Sequence, residues 1–271
     1  MSSSSHAGPL SVLSPTVRAA VQLERETDRS TWRPRHVAVV PLDENAPTSV
    51  VAALIALAGT RLLTEPVVAV DPSPLRTLTQ LLGGSTSGHL ARLAADADSL
   101  RERRAVDGYV DTATATGTPL VSLQAYAGHL APAEFSPALN ALKRRHRGLV
   151  MDVAPPIADT LMAPALSAAS LVVAVTSSPT PPPWLFSVAN PLTPYLRAGT
   201  LTVAHPFSDV GEGVAVNYGI HTPTMGLGIR VNPDGTWNLP INAVGIDFDS
   251  GDLSVTRAAI VAGRAAYAPR D

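Results

Sequence analysis

The sequence predicts an α/β fold: a mostly parallel, twisted sheet flanked by helices on both faces, with a β-hairpin toward the C-terminus. Three observations predict it. Short runs of β-branched and apolar residues, HVAVV (36–40), VVAV (67–70), LVMDV (149–153) and LVVAVT (171–176), lack polar alternation, as strands covered on both faces do. Helix-length segments separate these runs, and strands alternating with helices are what parallel crossover connections require. Lastly, the Asn232–Gly235 turn, NPDG, divides MGLGIRV from TWNLPI within residues 225–241, which is the signature of a hairpin.

The elements follow in order. Residues 1–13, MSSSSHAGPLSVL, are small and polar enough for a disordered tail. A single domain is expected over 14–271. Its first part, 14–30, is an N-terminal helical extension opened by Ser14 as cap and Pro15 at the first helical position. After the strand 36–40 comes a seven-residue connector, PLDENAP (41–47). A helix over 48–58 follows, opened by Thr48 and Ser49 and apolar nearly all round. Next are a strand at Val67–Val70, a turn at Asp71-Pro72-Ser73-Pro74, a helix over 75–82 and a flexible break, GGSTSG (83–88). Residues 89–104 read as one amphipathic helix, 111–118 as a loop, and 119–124 as a strand. A helix over 132–147, interrupted at Pro137, ends in KRRHR, a cationic last turn that complements the helix dipole. The rhythm then continues: strand 149–153, helix 159–169, strand 171–176, helix 183–197, strand 200–204. Beyond it, 205–226 reads as a long ordered loop, so that 205–241 forms a loop-and-hairpin insertion. A strand at 243–248 and a closing helix over 254–267 complete the chain.

Composition narrows the function. At 271 residues and 45% hydrophobic, the chain can bury a full core. It contains no apolar run long enough to span a membrane and no leader-like start, so the expected location is the cytoplasm, without stable membrane insertion. With no cysteine there is no disulfide, thiolate metal site or cysteine nucleophile. A net charge of −2 gives no general attraction to nucleic acid, and KRRHR is small beside a phosphate footprint. His205, Asp209, Glu212 and His221 have no spacing that matches a metal-ligand set, so no metal is expected. No G-x-S-x-G, H-E-x-x-H or G-x-G-x-x-G motif occurs where it would carry chemistry.

The most informative stretch is 36–59. Strand, tight loop and buried helix form the layout of a phosphate-binding loop, in which a helix N-terminus and backbone N–H groups receive an anion. The loop residues contradict that use. Asp43 and Glu44 stand where glycines are needed, Ala46 replaces the last glycine, and Pro47 replaces the lysine; only Thr48 and Ser49 remain. The chain has a single lysine, Lys143, and no arginine between Arg35 and Arg61.

On these residues the chain resembles the MinD/ParA branch of P-loop ATPases, whose loop reads K-G-G-x-G-K-[ST]-[ST]. Leu42 falls at the family's signature lysine and Pro47 at its P-loop lysine. VVAVDPSP (67–74) resembles the strand ending D-x-D-P, with Asp71 at the first aspartate and Ser73 at the second. GLVMDVAPP (148–156) resembles the Walker B strand, placing Asp152 near magnesium, and LVVAVTSSP (171–179) the strand ending V-T-x-P. The resemblance covers roughly 36–205. It implies a P-loop NTPase-like fold and a vestigial nucleotide and magnesium site at Thr48, Ser49, Asp71 and Asp152, with Thr176 converging beside it. No catalytic residue and no bound ATP or magnesium are expected. The expected role is a pseudo-ATPase scaffold or regulator with protein partners, and any homodimer is constitutive. Relatives serve partitioning, division and, in actinobacteria, type VII secretion loci; the lysine-poor, alanine-, arginine- and proline-rich composition favours the last. The alternative is a divergent but active nucleotide hydrolase.

Overall fold

A central strand, β1 (His36–Pro41), lies between β5 (Leu149–Asp152) and β6 (Leu171–Val175), parallel to both. The computed structural model describes residues 31–85, 87–100, 102–125, 128–178, 181–187, 189–208, 216–222, 227–228, 239–240, 259, 262–263 and 266–269. Outward from β5, the parallel sheet adds β2 (Val68–Asp71) and β4 (Pro119–Ser122), and from β6 it adds β7 (Leu201–Ser208). Antiparallel strands finish both edges. β3 (Asp111–Thr112) pairs with β4; β8 (Val216–Thr222) pairs with β7, and its other side takes β9 (Leu227–Gly228) and β10 (Leu239–Pro240).

Alternate residues of the central strands feed two cores. Val37, Val39, Ala69, Val150 and Val173 face one layer, built on α1 (Thr48–Leu62), α2 (Thr77–Leu82) and the helical residues Ala259, Ala262 and Tyr267. Ala38, Val40, Val70, Met151 and Val172 face the other. That layer is built on α3 (Leu90–Asp96), α4 (Pro132–Arg145) and α5 (Pro155–Ala168). A period of two with both faces apolar is why these strands carry no polar alternation. The α/β, mostly parallel architecture expected from sequence is therefore observed.

Several element boundaries differ from expectation. The helix expected over 89–104 stops at Asp96, where the Ser99 N–H and hydroxyl both donate to the Asp96 carbonyl. A 3₁₀ helix, Arg103–Tyr109, follows. Helix α4 runs through Pro137 without interruption, its start held by Glu134, whose carboxylate accepts the Ala131 N–H at 2.8 Å. Helix α5 begins at Pro155 rather than 159, because proline at a first helical position sacrifices no bonded N–H. The helix expected over 183–197 is two short ones, α6 (Trp184–Ser187) and α7 (Thr193–Arg197). Asn190 separates them: its Oδ1 accepts the Leu192 N–H at 2.9 Å, and its own N–H donates to Thr193 Oγ1 at 2.9 Å.

Within the long loop expected over 205–226, the described residues 205–208 and 216–222 are strand. β7 extends to Ser208 and β8 pairs back along it from Val203↔His221 to Ser208↔Val216. Within the expected hairpin, 227–228 and 239–240 each pair with β8, not with one another. The tail 1–13, the extension 14–30, and the strand at 243–248 lie outside the described residues, as does most of the closing helix.

Two glycines let α1 and the sheet close on Val67. A Cβ at Gly59 would meet Val67 Cγ2 at 2.3 Å, and one at Gly148 would meet Val67 Cγ1 at 2.4 Å. Gly59→Ala is expected to lower stability even though alanine favours helix by about 1 kcal/mol, since overpacking costs about 1–3 kcal/mol. Urea unfolding of Gly59→Ala, Val67→Ala and the double variant checks this. The double variant should lose less than the sum of the two single losses, whereas strict additivity would contradict the contact.

Candidate functional site

Loops leaving β1, β2, β5 and β6 meet at the C-terminal edge of the sheet, where ligand sites of open parallel sheets form. The loop after β1 is closed by its own side chain. Asp43 Oδ2 accepts the Thr176 hydroxyl and the Ser177 N–H, each at 2.7 Å, while Oδ1 accepts the Ser177 hydroxyl at 2.7 Å and the Asn45 N–H at 3.1 Å. Partial burial pushes the Asp43 carboxyl up, but the donors from Ser177, Thr176 and Asn45 together outweigh it and hold the group below the usual carboxylate range. Asp43 therefore belongs to the loop's architecture, a role that its reading as a misplaced glycine did not foresee.

The remaining loop groups are similarly engaged. The Leu42 N–H donates to the Val175 carbonyl at 2.7 Å, Ala46 to Asp43 at 3.2 Å, and Thr48 to Ala46 at 2.8 Å. Pro47 has no N–H to offer. The Leu42 side chain, at the position where the resemblance places a signature lysine, is buried in the second core layer.

Behind the loop lies a buried acidic pair. Val39 pairs with Asp152 and Val70 with Met151, so Asp152 and Asp71 end neighbouring strands, and both are fully buried. Asp71 has a structural role. Its Oδ1 accepts the Ser73 N–H at 3.1 Å, and its Oδ2 accepts the Thr79 N–H at 2.8 Å and hydroxyl at 2.7 Å, tying the first turn of α2 to β2. Asp152 Oδ2 accepts the Ser49 hydroxyl at 2.6 Å. Its Oδ1 and the Thr48 hydroxyl, both buried, have no hydrogen-bond partner among the described residues. Burial first, then the negative charge of Asp71, pushes the Asp152 carboxyl up to about 7; the Ser49 hydroxyl eases that only partly. Asp71 is also raised, by burial above all, against its own donors and the charge of Arg76.

Arg76 is the cation that sequence reasoning missed, having been sought only between residues 35 and 61. It is buried and adopts a left-handed backbone with φ of 56°, and its guanidinium donates to the Ser85 carbonyl and, at 3.1 Å, to Ser122 Oγ. An arginine between the DPSP turn and the next helix was the available signal.

The expected site residues Thr48, Ser49, Asp71 and Asp152 thus gather at one place, with Thr176 held beside them through Asp43. Two unpartnered buried oxygens, Thr48 Oγ1 and Asp152 Oδ1, suit a cation in donor chemistry. The loop suits a phosphate chain poorly, because the N–H groups of Leu42, Asn45, Ala46 and Thr48 bond within the protein and the Asp43 carboxylate closes it. Among the described residues no group of three or more His, Cys, Asp or Glu side chains could hold a metal ion. Asp209 and Glu212 lie outside those residues. No helix among them is long and apolar enough to cross a membrane.

No family model matches the chain. No curated protein matches it. Among solved structures it is similar to a ParA family ATPase from Chlorobium tepidum TLS, at 19% identity and a TM-score of 0.49, over 66% of this chain and 76% of that one. At that distance the likeness supports nothing about the site.

The raised carboxyl of Asp152 gives a pH signature. The folded protein holds a proton that the unfolded chain releases between its ordinary carboxylate range and about pH 7. Stability therefore falls as pH rises through that window and levels off above it. Asp152→Asn should flatten the fall and raise stability at pH 8 by about 1–3 kcal/mol, because a neutral amide is cheaper to bury and can donate to Thr48 Oγ1. Denaturant unfolding from pH 4 to 8 measures this. A variant less stable than wild type at pH 8 would contradict it.

Proposed function

We propose that this chain is a degenerate MinD/ParA-like protein that works by binding other proteins and does not turn over nucleotide. The observation that carries the reading is the closed loop. The N–H groups of Leu42, Asn45, Ala46 and Thr48 bond within the protein, Pro47 has none, and the Asp43 carboxylate is part of the closure. Phosphoryl transfer depends on positioning phosphate oxygens and neutralising their charge, and this loop has no lysine, bonds four of its N–H groups within the protein and places a carboxylate at its closure. A carboxylate about 4 Å from a phosphate costs roughly 1 kcal/mol in water and about 4 kcal/mol at an effective dielectric of 20. Such a protein serves as a cytoplasmic scaffold or regulator. Among the settings its family serves, composition favours an actinobacterial type VII secretion locus over division or partitioning.

The burial of Leu42 also bears on assembly. A buried leucine cannot reach across an interface to a partner's nucleotide, so any homodimer is constitutive and independent of ATP. Light scattering should give the same mass with and without ATP and magnesium; a monomer that dimerises only with ATP would contradict this.

A divergent hydrolase is the second reading, favoured by the two unpartnered buried oxygens of Thr48 and Asp152. Phosphate release separates the two. Wild-type protein should show no turnover above background, and Pro47→Lys alone should not create it, since Asp43 and the spent backbone donors remain. Turnover abolished by Thr48→Ala or Asp152→Ala would establish the hydrolase.

A further inference from the structure

Beside the closed loop, between it and the first turns of α5, lies a cavity of ≈ 460 Å³. Its apolar lining includes Leu42, Ala158 and Met162, and its acidic lining Asp43, Glu44 and Asp159. Among the described residues no Lys, Arg or His lines it. Asp43 is held ionised by its donors, while Glu44 and Asp159 are exposed and have neither an ion pair nor a hydrogen bond among the described residues. Three carboxylates around an apolar pocket repel nucleotides, nucleic acid and anionic lipid, and attract a cation that carries hydrocarbon.

A second feature belongs to the same core layer, in a helix that follows the C-terminal end of β6, the sheet edge that carries the closed loop. In α6, Leu185 is buried in the core layer that also holds Leu42 and Ala158, while its neighbours Trp184 and Phe186 are 38% and 53% exposed. Exposed aromatics at the sheet edge that also carries the pocket suit a protein-binding hot spot, and rings of this kind also receive cations on their faces.

We propose that this edge docks a basic, amphipathic segment of a partner protein. An arginine or lysine lays its aliphatic stem along Leu42, Ala158 and Met162 with its charge among Glu44, Asp159 and Asp43, and an apolar neighbour packs on Trp184 and Phe186. The occupant is fixed by charge complementarity: the pocket supplies uncompensated negative charge and the ledge supplies apolar surface. This rests on the reading of the chain as a binding protein and names the chemistry of its partner.

The test uses the full chain and a short fluorescein-labelled peptide of alternating leucine and arginine, with fluorescence anisotropy as readout. A second peptide carries glutamate in place of arginine. Wild type should bind the arginine peptide, more weakly as salt rises, and should not bind the glutamate peptide. Glu44→Gln combined with Asp159→Asn should weaken binding about tenfold or more, and so should Trp184→Ser combined with Phe186→Ser. Because the aromatic pair could disturb folding, circular dichroism accompanies it, and the carboxylate pair, which is exposed, decides the matter. No binding by wild type, equal binding of both peptides, or binding that survives the carboxylate substitutions overturns the proposal. Failure here with no phosphate release leaves the non-enzymatic reading standing, whereas phosphate release removes that reading whatever the peptide does.

Discussion

The four hydrogen bonds accepted by Asp43 hold the loop after β1 in place. Three of them, from Thr176 and Ser177, join the exit of β1 to the exit of β6, across the edge of the sheet where all the candidate site residues lie, and the fourth, from Asn45, closes the loop on itself. A loop that waits for phosphate leaves its N–H groups pointing at an absent anion. Here the anion is a side chain of the loop itself, present at every moment and needing no ligand to be brought from solution. The backbone can then bond inward, Leu42 can pack in the core, and Pro47 costs nothing by lacking a donor. These departures from a phosphate-binding loop are consistent with one another.

Behind the loop the chain retains something less settled. Two carboxylates ending adjacent buried strands oppose each other, and only one has a full set of donors. Arg76 supplies a cation near Asp71 from a left-handed backbone position that most residues avoid. Asp152 has Ser49, one bare oxygen and the unpartnered hydroxyl of Thr48 nearby. Burial of this kind costs several kcal/mol per unpaired charge, so the folded state favours the protonated acid. That cost is local, and the surrounding valines and leucines of two fully covered strand faces offset it.

The central sheet was legible because parallel strands with both faces covered must be apolar throughout, and VAVV, LVM and LVVAV are. Helix ends were harder to read. Helix α5 starts at Pro155, four residues before the expected 159, because Pro155 and Pro156 are first-turn residues. The single helices expected at 89–104 and 183–197 ended where Ser99 and Asn190 bond to nearby backbone. β8 was hidden by Gly219 inside a strand whose register is set by its pairing with β7, β9 and β10. At the site, Asp71 and Asp152 stood out as strand-end acids beside prolines. The role of Asp43 could not be read, because its partners Thr176 and Ser177 are more than a hundred residues away and contact arises only when β6 lies beside β1. Arg76 was overlooked for a similar reason: its partners Ser85 and Ser122 lie on separate segments that the sheet brings together.

The account turns on whether the loop is closed in the absence of nucleotide, and amide hydrogen exchange measures that residue by residue. The amides of Leu42, Asn45, Ala46 and Thr48 should be protected in the free protein, with protection unchanged by ATP and magnesium. Rapid exchange of these amides in the free protein that slows when ATP and magnesium are added would contradict it.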